Sequence, residues 1–182
     1  RGLFRWQQEE WTNYNATNMP SLDSLPDIIT IAADPSDGSA WAGSYGGGLL
    51  HLDQNNSLTI YKQNSPLQPA TFSPGSYRIS GLSFDGNGQL WIANDGAAAN
   101  LHVKKTDGQW RSFSIPFPLA DNAVAQIVPD DFNQLWIVSP KGNGLICFNY
   151  GQDIDNTADD RWKWYRAGQG NGNLPDNQQI EE

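Results

Sequence analysis

Apolar and polar residues alternate in short bursts along this chain, and three of those bursts repeat one another. Ile28–Ser44 runs I-I-T-I-A-A-D-P-S-D-G-S-A-W-A-G-S. Ile79–Asn94 runs I-S-G-L-S-F-D-G-N-G-Q-L-W-I-A-N, and Val124–Ser139 runs V-A-Q-I-V-P-D-D-F-N-Q-L-W-I-V-S. Each reads as an apolar strand, a turn of Asp, Gly or Asn, and a second strand opened by Trp41, Trp91 or Trp136. A Gly- or Asn-rich turn follows each Trp strand, then a third strand beginning at Leu49, Leu101 or Leu145. Fourth strands carry Tyr61, Phe113 and Tyr165.

A repeat of about 45–50 residues built from four short strands is the pattern of β-propeller blades. The expected fold is therefore all-β, a β-propeller with three complete four-stranded blades at about 25–63, 77–115 and 122–166. A partial blade occupies 1–14, and another begins near 177, where Leu174-Pro175-Asp176 and Ile180 repeat Leu25-Pro26-Asp27 and Ile31. The stretch 1–182 then reads as one segment of a larger ring, with further blades of the same protein as its nearest partners. Without them, its unpaired edges would invite association with another chain. Ile29, Ile31, Leu82 and Ile127 fall on inner strands, and Trp41, Trp91 and Trp136 are expected to pack between blades.

Composition narrows the function. The formal charge of −9 argues against nucleic acid, whose recognition needs a basic stripe. No apolar run is long enough to span a membrane. Helix is disfavoured, because all four Glu lie at the chain ends and the interior is rich in Gly, Pro, Asn, Ser and Asp. Cys147 stands alone in an apolar third strand and reads as a small buried residue. His51 and His102 lie one register apart in corresponding strands, so they should face opposite ways. With no paired Cys, no H-E-x-x-H and no nucleophile elbow, the chain reads as a binding module without a catalytic set.

Strand alternation sorts the loops onto two faces. One face gathers acid: Asp34 and Asp37, Asp85, Asp130 and Asp131, and the longer loop Gly151–Asp160. There Asp153, Asp155, Asp159 and Asp160 could offer oxygen ligands to calcium, although the order lacks the Gly and Glu of a helix–loop–helix site. The crossover face gathers Gly, Pro and aromatic residues. Loops on a rigid scaffold are where binding residues concentrate, so Tyr45, Phe72, Asn94, Asp95 and Lys141 are the candidate contacts. Aromatic and amide groups together suit a carbohydrate.

The order L-P-D-x-x-I, then I-x-x-D-x-x-G-x-x-W, then G-G-L and an aromatic fourth strand resembles the two-component regulator propeller repeat of Bacteroidetes. Leu25–Leu50 and Ile79–Ile92 are the better copies, and Asp130–Ile146 is looser. Gly43 keeps the residue type expected after the Trp strand begins, whereas Ala93 and Val138 replace it. The stretches Gly168–Asn177 and Asn133–Ile137 with Gly142–Leu145 are further similar to PorZ-type surface proteins of the type IX secretion system. That resemblance implies an exported protein at the periplasm or outer-membrane surface. It also implies anionic lipopolysaccharide and a sortase or other apparatus proteins as partners. The same repeat also occurs in carbohydrate-sensing periplasmic halves of hybrid histidine kinases, which is the alternative.

Overall fold

The computed structural model describes residues 2–7, 9–25 and 27–166. The blade expected from about 177, and the crossover leading to it, lie outside the described residues. The chain opens with a two-stranded hairpin, β1 (Leu3–Gln7) and β2 (Glu10–Tyr14). Three four-stranded antiparallel units follow. They are β3 (Ile28–Ala33) to β6 (Leu58–Tyr61), β7 (Tyr77–Phe84) to β10 (Trp110–Phe113), and β11 (Ile127–Pro129) to β14 (Arg161–Tyr165). Between these bounds lie β4 (Ala40–Gly46), β5 (Gly48–Leu52), β8 (Leu90–Asn94), β9 (Leu101–Lys104), β12 (Gln134–Ser139) and β13 (Gly144–Asn149). Each unit pairs its strands in sequence order, as a propeller blade does.

Period-two patterning places alternate residues of each blade against different neighbours. From the first blade, Ala42, Leu50 and Leu52 pack with Leu3, Tyr14, Leu22 and Leu25 of the hairpin side. The opposite face supplies Trp41 and Leu49, which meet Ile79, Leu82, Leu90 and Ile92 of the second blade. Trp91, Val103 and Phe113 then meet Ile127, Ile137, Phe148 and Tyr150 of the third. Blades approach closely near the inner strands. A Cβ on Gly81 would lie 2.2 Å from the Ala125 carbonyl oxygen, so only glycine lets β7 sit this near the third blade. Ser80, beside it, donates to the Val124 carbonyl at 2.6 Å.

The Trp positions are joined to the first turns by one recurring device. In the second blade, Asp85 Oδ1 accepts the backbone N–H groups of Asn87 and Gln89, closing the turn. Its Oδ2 accepts Trp91 Nε1 at 2.9 Å and, from the next blade, the Tyr150 hydroxyl at 3.2 Å. Asp130 repeats this, taking Phe132 N and Gln134 N on one oxygen and Trp136 Nε1 at 3.0 Å on the other. Burial works to raise the Asp130 carboxyl, but the bonds from Phe132, Trp136 and Gln134 outweigh it and hold the group below its ordinary range.

The inner-strand residues and the three Trp differ in how deeply they are packed. Ile29 and Ile31 do lie on the inner strand β3, yet they are 52% and 59% exposed. They share the blade side of Ala42, where the hairpin supplies only outer strands and a cleft of about 490 Å3 is left. Trp136 is half-buried on the side of the third blade away from the second, and the blade expected to follow it lies outside the described residues. Trp41 and Trp91 are buried between blades as expected.

The two histidines face opposite ways, again as expected. His51 stacks on Trp41 at 4.0 Å, toward the second blade. His102 is fully buried and bonds Ser112 Oγ through Nδ1 at 2.8 Å. Burial pushes the His102 imidazole down to about 4 from 6.5. Below pH 6.5 the unfolded chain binds a proton that the folded chain refuses, so stability is full above that value and falls as the pH drops toward 4. The slope should approach about 1.4 kcal/mol per pH unit between these limits. Urea unfolding at pH 7 and pH 5 checks this: His102→Gln should flatten the loss, and an equal loss in that variant would refute the assignment.

Candidate functional site

On the crossover face, β4 runs past its own blade and pairs with the start of β7, Tyr45 opposite Arg78 and Gly46 opposite Tyr77. This junction puts a guanidinium between two aromatic rings. The Arg78 Cζ lies 4.8 Å from the Tyr45 ring centroid and 4.6 Å from that of Phe72, within the range of cation–π attraction. Arg78 also donates to the Tyr45 hydroxyl at 3.3 Å and stands 3.9 Å from Asp95. The Tyr45 hydroxyl in turn donates to Asp95 Oδ2 at 3.1 Å. The other Asp95 oxygen accepts the Val124 N–H at 3.2 Å, which ties the group to the third blade's crossover.

Phe72 is brought here by the long crossover after β6. That segment carries Pro66, Pro69 and Pro74, which lack N–H groups and cannot extend a sheet. It is tied down instead by other donors. Gln68 N donates to Asn94 Oδ1 at 2.9 Å, Thr71 N to the Gly96 carbonyl at 2.8 Å, and Ala99 N to Gln68 Oε1 at 3.1 Å. Gly96 has φ +76°, and a Cβ there would meet the Phe72 ring at 2.8 Å. The ring therefore rests on a glycine that no other residue replaces without shifting it.

Four of the five expected contacts thus converge. Tyr45 and Phe72 are about half exposed, Asp95 is buried beneath them, and Lys141 Nζ reaches to 5.9 Å from the Phe72 centroid. Lys141 pairs with Asp121 at 2.6 Å, an exposed pair that contributes little to stability. Asn94 is a correction. It has no exposure, and its amide is used up between Gln68 N and the Arg78 carbonyl. It holds the crossover and cannot touch a ligand. Arg78 is the residue that sequence reasoning missed; its position, directly after the proline-rich crossover and beside Tyr77, was the available signal.

The acidic loop is differently employed. Asp155 accepts from Lys105 at 2.8 Å and Arg111 at 3.3 Å, both in the second blade. The Lys105 bond holds its carboxyl below the usual range. Asp153 Oδ1 accepts the Asp155 N–H, and Asp159 Oδ2 accepts Gln152 N. Burial, with Asp159 beside it, raises the Asp160 carboxyl. Among the described residues no three His, Cys, Asp or Glu side chains converge as a metal-binding group. The calcium ligands suggested from spacing alone are therefore not gathered: Asp155 is turned to cations of the neighbouring blade.

Fold and site together define a β-propeller segment with a cationic–aromatic cluster on its crossover face. Its structural neighbours include PorZ, described as an essential surface component of the type IX secretion system of Porphyromonas gingivalis. The match has TM-score 0.70 and 21% identity over 85% of this chain and 22% of PorZ. They also include the extracellular domain described as that of a hybrid two-component system of B. thetaiotaomicron, with TM-score 0.54 and 21% identity over 77% of this chain and 17% of that one. Likeness at this level of identity is a likeness of fold. Virginiamycin B lyase of Staphylococcus aureus shares the fold as well, with TM-score 0.62 and 16% identity over 91% of this chain and 48% of the lyase. The chain spans about a fifth of the length of PorZ. No protein-family model matches the sequence, and no curated protein matches it.

The cluster makes a prediction about the phenol at its centre. Burial raises the Tyr45 pKa, Asp95 adds to the rise, and Arg78 opposes it. Asp95→Asn should therefore lower the Tyr45 pKa and Arg78→Met should raise it further. Ultraviolet titration, with Tyr45→Phe subtracted, reads the two shifts, and shifts in one common direction would contradict the geometry.

Proposed function

We propose that this chain is a non-catalytic binding module of an exported bacterial protein, a PorZ-like component of type IX secretion that takes up an anionic glycan of lipopolysaccharide. The observation that carries the reading is the pair of half-exposed rings, Tyr45 and Phe72, flanking Arg78. Sugar rings offer apolar C–H faces that lie against aromatic side chains, and Arg78 and Lys141 supply charge for phosphate or carboxylate groups. Secretion-apparatus proteins, a sortase among them, are the protein partners this reading implies, at the periplasmic or outer-membrane surface.

The likeness to the lyases extends to the fold. Support for a non-catalytic role comes from the separation of the two histidines, His51 against Trp41 and His102 sealed in the second blade. A second reading, the sensing propeller of a hybrid two-component system, is favoured by the likeness to the B. thetaiotaomicron domain. There the same rings would take a neutral oligosaccharide. No helix among the described residues is long and apolar enough to cross a membrane.

Binding of purified anionic lipopolysaccharide to the 182-residue chain, followed by biolayer interferometry, tests the proposal. Tyr45→Ala and Phe72→Ala should each weaken it about tenfold, equivalent to about 1.4 kcal/mol. Undiminished binding by both variants overturns the site. Preference for a neutral oligosaccharide over the anionic glycan favours the sensor reading.

A further inference from the structure

The crossover-face cluster holds two cations, and their surroundings differ. Arg78 is engaged by its own neighbours. Its Nη1 donates to the Tyr45 hydroxyl and faces Asp95, its Nε donates to Ser76 Oγ at 3.2 Å, and two rings lie against the guanidinium. Only 19% of the Arg78 side chain is exposed, and Asp95, which balances its charge, is 10% exposed. An anion arriving there would have to displace a carboxylate that also holds the Tyr45 hydroxyl and the Val124 N–H.

Lys141 stands in the turn between β12 and β13, with 51% of its side chain exposed. Its ammonium meets Asp121 Oδ2, and Asp121 is 57% exposed. Water screens such a pair, so little opposes its opening. The bond from Asp121 raises the Lys141 ammonium above its ordinary range, and Asp95 and Tyr45 add to the rise. The ammonium is therefore charged at neutral pH and lies within the field of the ring cluster.

The turn itself does not call for a lysine. Lys141 has φ +62° and Asp121 φ +56°, both in the left-handed region. Asp tolerates that region, whereas Lys has no such local support. The matching turn of the first blade uses Gly46 and Gly48 at positive φ instead. Asn143 ties the two loops together, its Oδ1 accepting from Ala120 N at 3.1 Å and its Nδ2 donating to the Pro140 carbonyl at 2.7 Å. The Asn122 carbonyl accepts from Gly96 N, on the glycine that carries the Phe72 ring. The pair is thus fixed in place beside that ring.

We infer that Lys141 is the residue that reads the charge of an anionic glycan at this surface, and that Asp121 is a built-in competitor whose carboxylate the ligand's phosphate or carboxylate replaces. The inference rests on the glycan reading proposed above and assigns the charge recognition within it. One anion is exchanged for another on the same ammonium, and Asp121 turns to solvent. A neutral glycan leaves the pair closed and has only the rings to lie against.

Biolayer interferometry on the 182-residue chain compares the anionic polysaccharide released from lipopolysaccharide with the same polysaccharide after its phosphates are removed and its carboxylates reduced. The native form should bind about fivefold more tightly than the neutralised one, the scale of one exposed charge pair. Lys141→Gln should bring that ratio near one, and Lys141→Arg should restore it. Asp121→Asn should tighten the native form about threefold, whereas Asp107→Asn, which removes the same charge from the acidic face, should not. Arg78→Gln should weaken both forms and keep the ratio. A ratio that survives Lys141→Gln while Tyr45→Ala and Phe72→Ala weaken binding overturns this inference and leaves the site standing. A ratio lost in Arg78→Gln but kept in Lys141→Gln, or no gain in Asp121→Asn, overturns it as well. Undiminished binding by both ring variants overturns the glycan reading and this inference with it.

Discussion

The buried bond between Asp85 and Trp91 is the constraint on which the blade packing depends. One carboxylate closes the first turn of the blade, fixes the indole and receives the Tyr150 hydroxyl from the next blade. A carboxylate shielded from water is tolerable only when its oxygens are satisfied. Here five donors satisfy it, those of Asn87, Gln89 twice, Trp91 and Tyr150. The indole is thereby held among Phe113 and Tyr150, tilted against it, and Phe148, which meets it edge-on, and these ring contacts join the second blade to the third.

From that scaffold the two faces acquire different chemistry. On the acidic face, ion pairs cross from the third blade to the second through Asp155, so the loop's charge is used to join blades. On the crossover face, backbone pairing of Tyr45 with Arg78 sets the guanidinium at a blade junction. The crossover before β7 then lays Phe72 over it. Neither arrangement needs more than strand alternation and a few tied loops, because the blades themselves are rigid.

Much of this was legible in the sequence. The recurring Asp, turn and Trp at a fixed period gave the blades, and alternation alone assigned loops to faces and histidines to opposite sides. Tyr45, from the end of β4, and Phe72, Asp95 and Lys141, from three separate loops, were placed on one face by that same logic. What could not be read were contacts made across blades. Arg78 looks like an ordinary outward residue at a strand start until β4 is seen to reach it. Asn94 looks like an exposed turn residue, yet its side chain replaces a backbone partner for the crossover. Asp155 finds its cations 44 and 50 positions earlier in the chain, a relation that spacing within one loop does not contain. The exposure of Ile29 and Ile31 depends on which strands stand opposite, and the hairpin offers only outer ones.

The account rests most directly on Asp85 acting across two blades at once. A double-mutant cycle of Asp85→Ala and Tyr150→Phe, read by urea unfolding at neutral pH, isolates the part of that bond that crosses between them. A coupling energy of about 1 kcal/mol or more is expected for a buried, charge-assisted hydrogen bond. Additive losses, with no coupling between the two substitutions, would contradict the clamp as the interaction that holds the blades in register.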